Sequence, residues 1–267
     1  MAQLNALICN FICLCFVLLH INGIKSIKKK REGTMKIILL TMTMLFSIQT
    51  FANVDAEVES LKETIVKTAE KYQGLGDPDF KIQKELEPLV ARLLTLEPQL
   101  NVVDRLPLLY GVWKQVWGPY EYRKNDRSVD PTLNAKEIYQ VISPEGFYYN
   151  VSPNMNPKTN KEKNINYLKG QYVLSKKDPN GLDVKFVKFI GMKKRPTERA
   201  IYQYVDEAER NHLPTQTTVV PKIIVKLFFG GGTLREIYTD DSLRILYGSN
   251  NKEFKNQYLY IMTKVKE

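Results

Sequence analysis

Cysteine is scarce in this chain of 267 residues, and its placement is uneven: Cys9, Cys13 and Cys15 lie near the start, and none follows Asn53. That absence removes disulfide frameworks, thiol nucleophiles and thiolate metal sites from everything downstream. Histidine is nearly as rare. Beyond Asn53 only His212 remains, between Asn211 and Leu213 in a loop-like stretch, where a lone histidine is ordinarily a solvated side chain. No metal-ligand spacing is present, and no internal repeat or low-complexity tract occurs. The residues therefore point to no metal, no cofactor and no thiol or histidine chemistry.

A strong charge bias is also missing from the main body. The whole chain carries 39 basic and 29 acidic residues, net +10. Six of the basic residues (Lys25, Lys28, Lys29, Lys30, Arg31 and Lys36) and one acidic residue (Glu32) precede Asn53, which leaves +5 for the remainder. That surplus permits peripheral contact with an anionic membrane but does not call for nucleic acid.

Two apolar segments open the chain. Residues 4–24 carry no charge and are long enough for a membrane span of roughly 20 residues. A second begin signal follows: Met35, the basic Lys36, an apolar run over 37–46, and Thr50-Phe51-Ala52 with small residues where a signal peptidase cuts. The natural reading is a signal peptide over 35–52 and an exported protein, periplasmic or secreted. Residues 1–34 are then an upstream extension; the alternative is a membrane anchor through residues 4–24.

Residues 53–107 read as a helical N-terminal segment. Val58, Leu61, Ile65, Ala69 and Tyr72 recur at spacings of three and four, which places them on one helical face. Gly74 and Gly76 end that run. Asp77-Pro78 has the form of an N-cap with proline at the first helical position, and Ile82, Leu86, Leu89, Val90 and Leu93 continue a second stripe past Pro88.

From residue 108 to 267 the pattern changes to short runs of β-branched and aromatic residues separated by Gly, Pro, Asn and Asp. Expected strands cover 109–117, 137–143, 147–152, 167–175, 184–192, 218–229, 234–238, 243–247 and 257–265. Alternation is cleanest late in the chain: Ile223, Val225, Leu227 and Phe229 oppose Lys222 and Lys226, and Leu259 and Ile261 oppose Tyr258 and Tyr260. Residues 197–211 read as a short helix carrying Ile201, Tyr204, Val205 and Ala208. The strand count predicts an antiparallel β-barrel of about eight strands behind a helical segment, of a size that either fills with side chains or holds one small ligand.

Three stretches carry a resemblance. Leu108-Leu109-Tyr110-Gly111-Val112-Trp113 comes first. Ile138-Tyr139-Gln140-Val141-Ile142 with Tyr149-Asn150-Val151 follows. Tyr238-Thr239-Asp240-Asp241-Ser242-Leu243-Arg244-Ile245-Leu246-Tyr247-Gly248 closes with Tyr258-Leu259-Tyr260-Ile261-Met262. In that order, over 108–265, they resemble the plastid-lipid-associated protein (fibrillin) family, although Tyr247 stands where that family's last motif usually has arginine. The Gly-x-Trp at 111–113 is also similar to that of lipocalins. The resemblance implies a lipocalin-like barrel that handles a hydrophobic or amphipathic small molecule (a lipid, quinone or isoprenoid-like compound) without catalysis. The alternative is an envelope structural or interaction module with a filled barrel. Gly111, Trp113 and Arg244 then serve as barrel-closing residues, with the arginine over the tryptophan ring.

Candidate ligand contacts are the strand aromatics Tyr139, Tyr149, Phe186, Tyr258 and Tyr260, whose rings with polar tips suit an amphipathic ligand. Asp240-Asp241 reads as an acidic turn, not a general acid and base. Gly230-Gly231-Gly232 precedes a strand, which fails the phosphate-loop context and favours a hairpin turn or bulge. Asn150-Val151-Ser152 fits a glycosylation acceptor, yet lies in a strand.

Overall fold

Among the described residues, three helices precede the sheet. The computed structural model describes residues 54–73, 77, 79–118, 138–155, 162–192, 201, 216–220, 231–249 and 257–266. Helix α1 covers 54–71 and buries Val58, Ile65 and Ala69, one stripe at helical spacing. Helix α2 (Lys81–Leu96) buries Leu86, Val90 and Leu93 on one face; each such side chain contributes roughly 1.5–3 kcal/mol over its exposed state. Helix α3 (Val102–Leu109) buries Val102, Arg105 and Leu109.

The start of α2 differs from the expected cap. Asp77 does not sit at the helix terminus; Phe80 does, in the left-handed region at φ 56°. The Asp77 carboxylate reaches forward instead and accepts the Gln83 N–H at 2.8 Å, so it satisfies a first-turn donor from three residues upstream of the cap. Pro78 lies outside the described residues. The expected strand from residue 109 also begins later, because Val102, Leu106 and Leu109 continue a helical spacing and α3 runs to Leu109.

Among the described residues nine strands follow: β1 (Gly111–Trp117), β2 (Tyr139–Ile142), β3 (Phe147–Met155), β4 (Glu162–Leu174), β5 (Gly181–Met192), β6 (Gln216–Val220), β7 (Gly231–Thr239), β8 (Leu243–Ser249) and β9 (Tyr258–Lys264). Consecutive strands pair antiparallel, except that β7 pairs with β5 instead of β6, and β1 pairs with both β2 and β9. β5 pairs with β4 on one edge; its other edge is shared, with β7 on residues 181–185 and β6 on 189–192. Eight strand positions therefore close into an up-and-down antiparallel barrel.

Gly231 and Gly232 sit inside β7, opposite Lys185 and Val184, and not in a hairpin turn. The reason is close approach: a Cβ on Gly231 would lie 2.5 Å from the Val184 carbonyl oxygen. The apolar segments at 4–24 and 37–46, the alternation over 222–229, His212, and all of 197–211 except the buried Ile201 lie outside the described residues.

Candidate functional site

Register decides which side chains face the barrel lumen. Along β8, Arg244 and Leu246 share a face with their β9 partners Met262 and Tyr260. The same face continues through Trp113 and Gln140, then Tyr148 and Asn150, then Leu168, Phe186 and Phe189, and returns through Leu234 and Glu236. Side chains from strands on opposite walls meet on this face. Ile142, Tyr148, Leu182 and Val184 pack with Val102 and Leu109 of α3, so α3 stoppers one end.

Arg105 fixes that stopper. Its guanidinium donates to the carbonyls of Leu100 (2.8 Å) and Glu236 (3.0 Å) and to side-chain oxygens of Gln99, Thr239 and Asn180. Val102 N–H adds a bond to the Pro179 carbonyl at 3.2 Å. Burial pulls the Arg105 pKa down and the nearby Glu236 carboxylate opposes it. A basic residue between the apolar Val102 and Leu109, on the buried side of the helix, was the sequence signal for this role.

Above the stopper lies a polar layer. Arg244 and Glu236 are both fully buried and form a two-pronged ion pair, Nε to Oε2 at 2.9 Å and Nη2 to Oε1 at 2.6 Å. Nη1 donates to Gln140 Oε1 at 2.8 Å and approaches Met262 Sδ at 3.7 Å. The Arg244 guanidinium carbon stands 6.0 Å from the Trp113 ring centre, and Lys264 Nζ stands 5.1 Å from it. The Trp113 indole donates to the Leu109 carbonyl at 2.7 Å. Tyr148 donates to Asn150 Oδ1 at 2.7 Å, and burial drives its phenol well above the usual range, so it stays neutral.

The upper lumen is different. On β3–β5 the inward-facing Asn150, Ser152, Leu168, Phe186 and Phe189 are only half-buried. The outward-facing Tyr149, Val151, Ile165 and Tyr167 are buried in a cluster with Ile201. A solid barrel gives the opposite order. Asn166 also faces inward, and its Oδ1 is buried without a hydrogen-bond partner among the described residues. The Tyr260 ring lies flat against the wall: a Cβ on Gly118 or Gly248 would come within 2.4 or 2.8 Å of it.

The five candidate ligand aromatics divide accordingly. Phe186 and Tyr260 face the lumen. Tyr139 and Tyr149 do not, because the parity of β2 and β3 turns them outward into the cluster under Ile201. Tyr258 stands at the start of β9 and stacks on Phe80 with ring centres 5.7 Å apart. Gly111 has φ 130° at the helix-to-strand junction, a conformation L side chains rarely adopt. Glu236, Gln140 and Asn166 escaped the sequence reading. Glu236 could have been found as a charge two residues after Leu234, in phase with it.

Outside the barrel, Asp240 makes the acidic turn. Its Oδ1 accepts from the N–H groups of Ser242 (2.6 Å) and Leu243 (2.7 Å), while Oδ2 meets Lys62 at 2.6 Å and the Tyr238 hydroxyl at 2.9 Å. These contacts are spent on structure and leave nothing poised for proton transfer. Among the described residues, no three His, Cys, Asp or Glu side chains gather closely enough to hold a metal ion.

These features define an eight-stranded up-and-down barrel, stoppered at one end by a helix and lined by half-buried residues toward the other. No family model and no curated protein matches the chain. It is similar to a solved structure described as "Biogenic amine-binding protein selenomethionine derivative", with 12% identity over 59% of this chain and 66% of that one, and a TM-score of 0.27. The chain thus spans just under two thirds of that protein's length, and the likeness is too slight to carry a ligand across.

Proposed function

We propose that the barrel holds a hydrophobic or amphipathic small molecule, lipid, quinone or isoprenoid-like, in its upper lumen and does not transform it. The observation that carries this reading is the inverted burial on β3–β5, where inward side chains are half-buried and outward ones are buried. Leu168, Phe186, Phe189 and Tyr260 offer an apolar wall to a chain or ring. Asn166 stands on the same inward face beside them. Arg244 is already matched by Glu236, so the floor does not demand an anionic ligand.

The resemblance to the plastid-lipid-associated proteins supports the same class of ligand. The segment over 35–52 supports export to a periplasm or beyond; sequencing the natural N-terminus tests that, and a start at Asn53 is the expected result. A filled interaction module is the second reading, favoured by the packed Trp113–Arg244–Glu236 layer in the lower half of the barrel.

Native mass spectrometry and solvent extraction of protein purified from its own host test the binding reading. The expected outcome is a co-purifying apolar compound that Leu168→Lys, a half-buried lumen position, excludes while leaving the melting temperature unchanged. Protein that carries nothing, and takes up nothing from a panel of quinones, fatty acids and phospholipids, sinks the reading in favour of the filled module.

A further inference from the structure

Three carboxamides line one wall of the barrel at and above the ion-pair layer: Gln115 on β1, Gln140 on β2 and Asn150 on β3. Register turns all three inward. Gln115 lies opposite Met262, and Gln140 lies between Trp113 and Asn150. Gln115 and Gln140 are each only 4% exposed. Buried amides ordinarily spend their donors and acceptors on protein partners. These three are spent only in part, and none of their spare atoms is sealed from solvent.

The neighbours fix which end of two of these amides is spare. Arginine carries only N–H groups, so the end of Gln140 that meets Arg244 Nη1 at 2.8 Å is its oxygen. Its Nε2 is left without an acceptor among the described residues. Asn150 Oδ1 accepts the single hydroxyl proton of Tyr148 at 2.7 Å, which leaves its Nδ2 spare as well. Gln140 and Asn150 are direct cross-strand partners, so their Cβ atoms stand about 4.5–5.5 Å apart and both NH2 groups come within reach of one oxygen. Gln115 Nε2 lies beside the Tyr260 ring: both fall within 3.1 Å of the point that a Cβ on Gly118 would take. The charges here are matched. Both Glu236 oxygens are taken by Arg244, and Lys264 turns to the stopper, where its Nζ donates to the Leu108 carbonyl at 3.0 Å.

We infer that the ligand presents a neutral carbonyl oxygen to the Gln140 and Asn150 amides and lays its apolar body against Leu168, Phe186 and Tyr260. This rests on the lumen-binding reading above and narrows it to quinones, ketones and esters. A carbonyl oxygen accepts two N–H groups at once and brings no proton of its own. A hydroxyl brings a proton, and the oxygens of Gln140 and Asn150 are already engaged. A carboxylate finds its natural partner Arg244 matched by Glu236, and an unpaired buried charge costs far more than a buried carbonyl. An ammonium meets donors where it needs acceptors.

The test titrates the delipidated full chain by calorimetry with 2-decyl-1,4-benzoquinone and with decylbenzene, which has a similar outline without the oxygens. The quinone should bind about tenfold more tightly, the worth of one good hydrogen bond. Gln140→Glu and Asn150→Asp keep the oxygens that meet Arg244 and Tyr148 and replace each donor nitrogen with oxygen. Each should weaken the quinone about tenfold and the hydrocarbon far less. Asn150 is half-buried, so its variant carries the test if Gln140→Glu does not fold. In infrared difference spectra, one carbonyl band of the bound quinone should lie below its position in hydrocarbon solvent and return toward it in the variants. Equal affinity for the two probes, or an unshifted carbonyl band, overturns the inference while lumen binding stands, provided that Leu168→Lys still excludes both. Decanoate binding more tightly than the quinone at pH 8 also overturns it, in favour of an anionic head. If neither probe binds, the lumen reading itself fails and the inference falls with it.

Discussion

Arg244 and Glu236 face each other inside the barrel as a two-pronged pair, 2.6 and 2.9 Å apart, with no solvent exposure on either side chain. Removing one partner strands a buried charge, which costs about 3–5 kcal/mol, whereas replacing both with apolar side chains of similar volume is often neutral. Arg244→Met and Glu236→Leu should each be strongly destabilising in urea melts. The double substitution should recover most of the loss. Two independent, additive losses would mean that the pair is not a unit.

Trp113 lies against the same arginine. Trp113→Ala should cost about 3–5 kcal/mol, the range for deleting a large buried aromatic. Because the guanidinium stands 6.0 Å from the ring centre, part of that loss is shared with Arg244→Ala, by about 0.5–2 kcal/mol. The double mutant should therefore fall short of the sum of the singles. Strict additivity would show that the contact carries no energy.

Lys62 and Asp240 tie α1 to the β7–β8 turn and give stability a defined pH window. Burial alone would raise the Asp240 pKa; Lys62 and the N–H groups of Leu243 and Ser242 outweigh it and hold the carboxyl below its usual value. Its contribution is present above the ordinary carboxylate pKa of about 3.9 and is lost as pH falls through the lower folded value. Burial lowers the Lys62 pKa, but Asp240 and Glu59 raise it more. That contribution is full below about 10.4 and is lost as pH climbs through the higher folded value. Asp240→Asn should cost about 1–3 kcal/mol at pH 7, and that cost should shrink as pH falls through the lowered Asp240 pKa. An equal cost at every pH would assign the effect to the turn alone.

Arg105 holds the α3 stopper through five hydrogen bonds, none made by its stem. Arg105→Met keeps the packing and removes the bonds. Stability should fall by about 2–3 kcal/mol, and amide exchange in Val102–Leu109 should accelerate more than in β8. Uniform acceleration would place the arginine in the global core instead.

Gly231→Ala should cost about 1–3 kcal/mol, since its new Cβ would lie 2.5 Å from a backbone oxygen that cannot rotate away. A thermal melt that does not change would show that β5 and β7 can separate at no cost.

Much of the architecture was legible in the sequence because it rests on local periodicity. The stripe through Ile65 and Ala69 gave one helix, that through Leu86, Val90 and Leu93 another, and the β-branched and aromatic runs gave the strands in order and an eight-strand antiparallel barrel. The helical reading of 53–107 stopped two residues short of the end of α3, because Leu106 to Trp113 is one apolar run that does not mark where a helix yields to a strand. Which strand face is inside was decided only by the tertiary structure. A period of two defines two faces but not their direction, and here both are apolar: Tyr149, Val151, Ile165 and Tyr167 are buried on the outside under Ile201. Irregularities at Gln115/Trp117, Lys169/Gly170 and Glu236/Tyr238 then shift the register partway along three strands. Local pattern named the aromatic residues, but only closure of the ring could send Phe186 and Tyr260 inward and Tyr139 and Tyr149 outward, because inside and outside exist only once β9 has met β1.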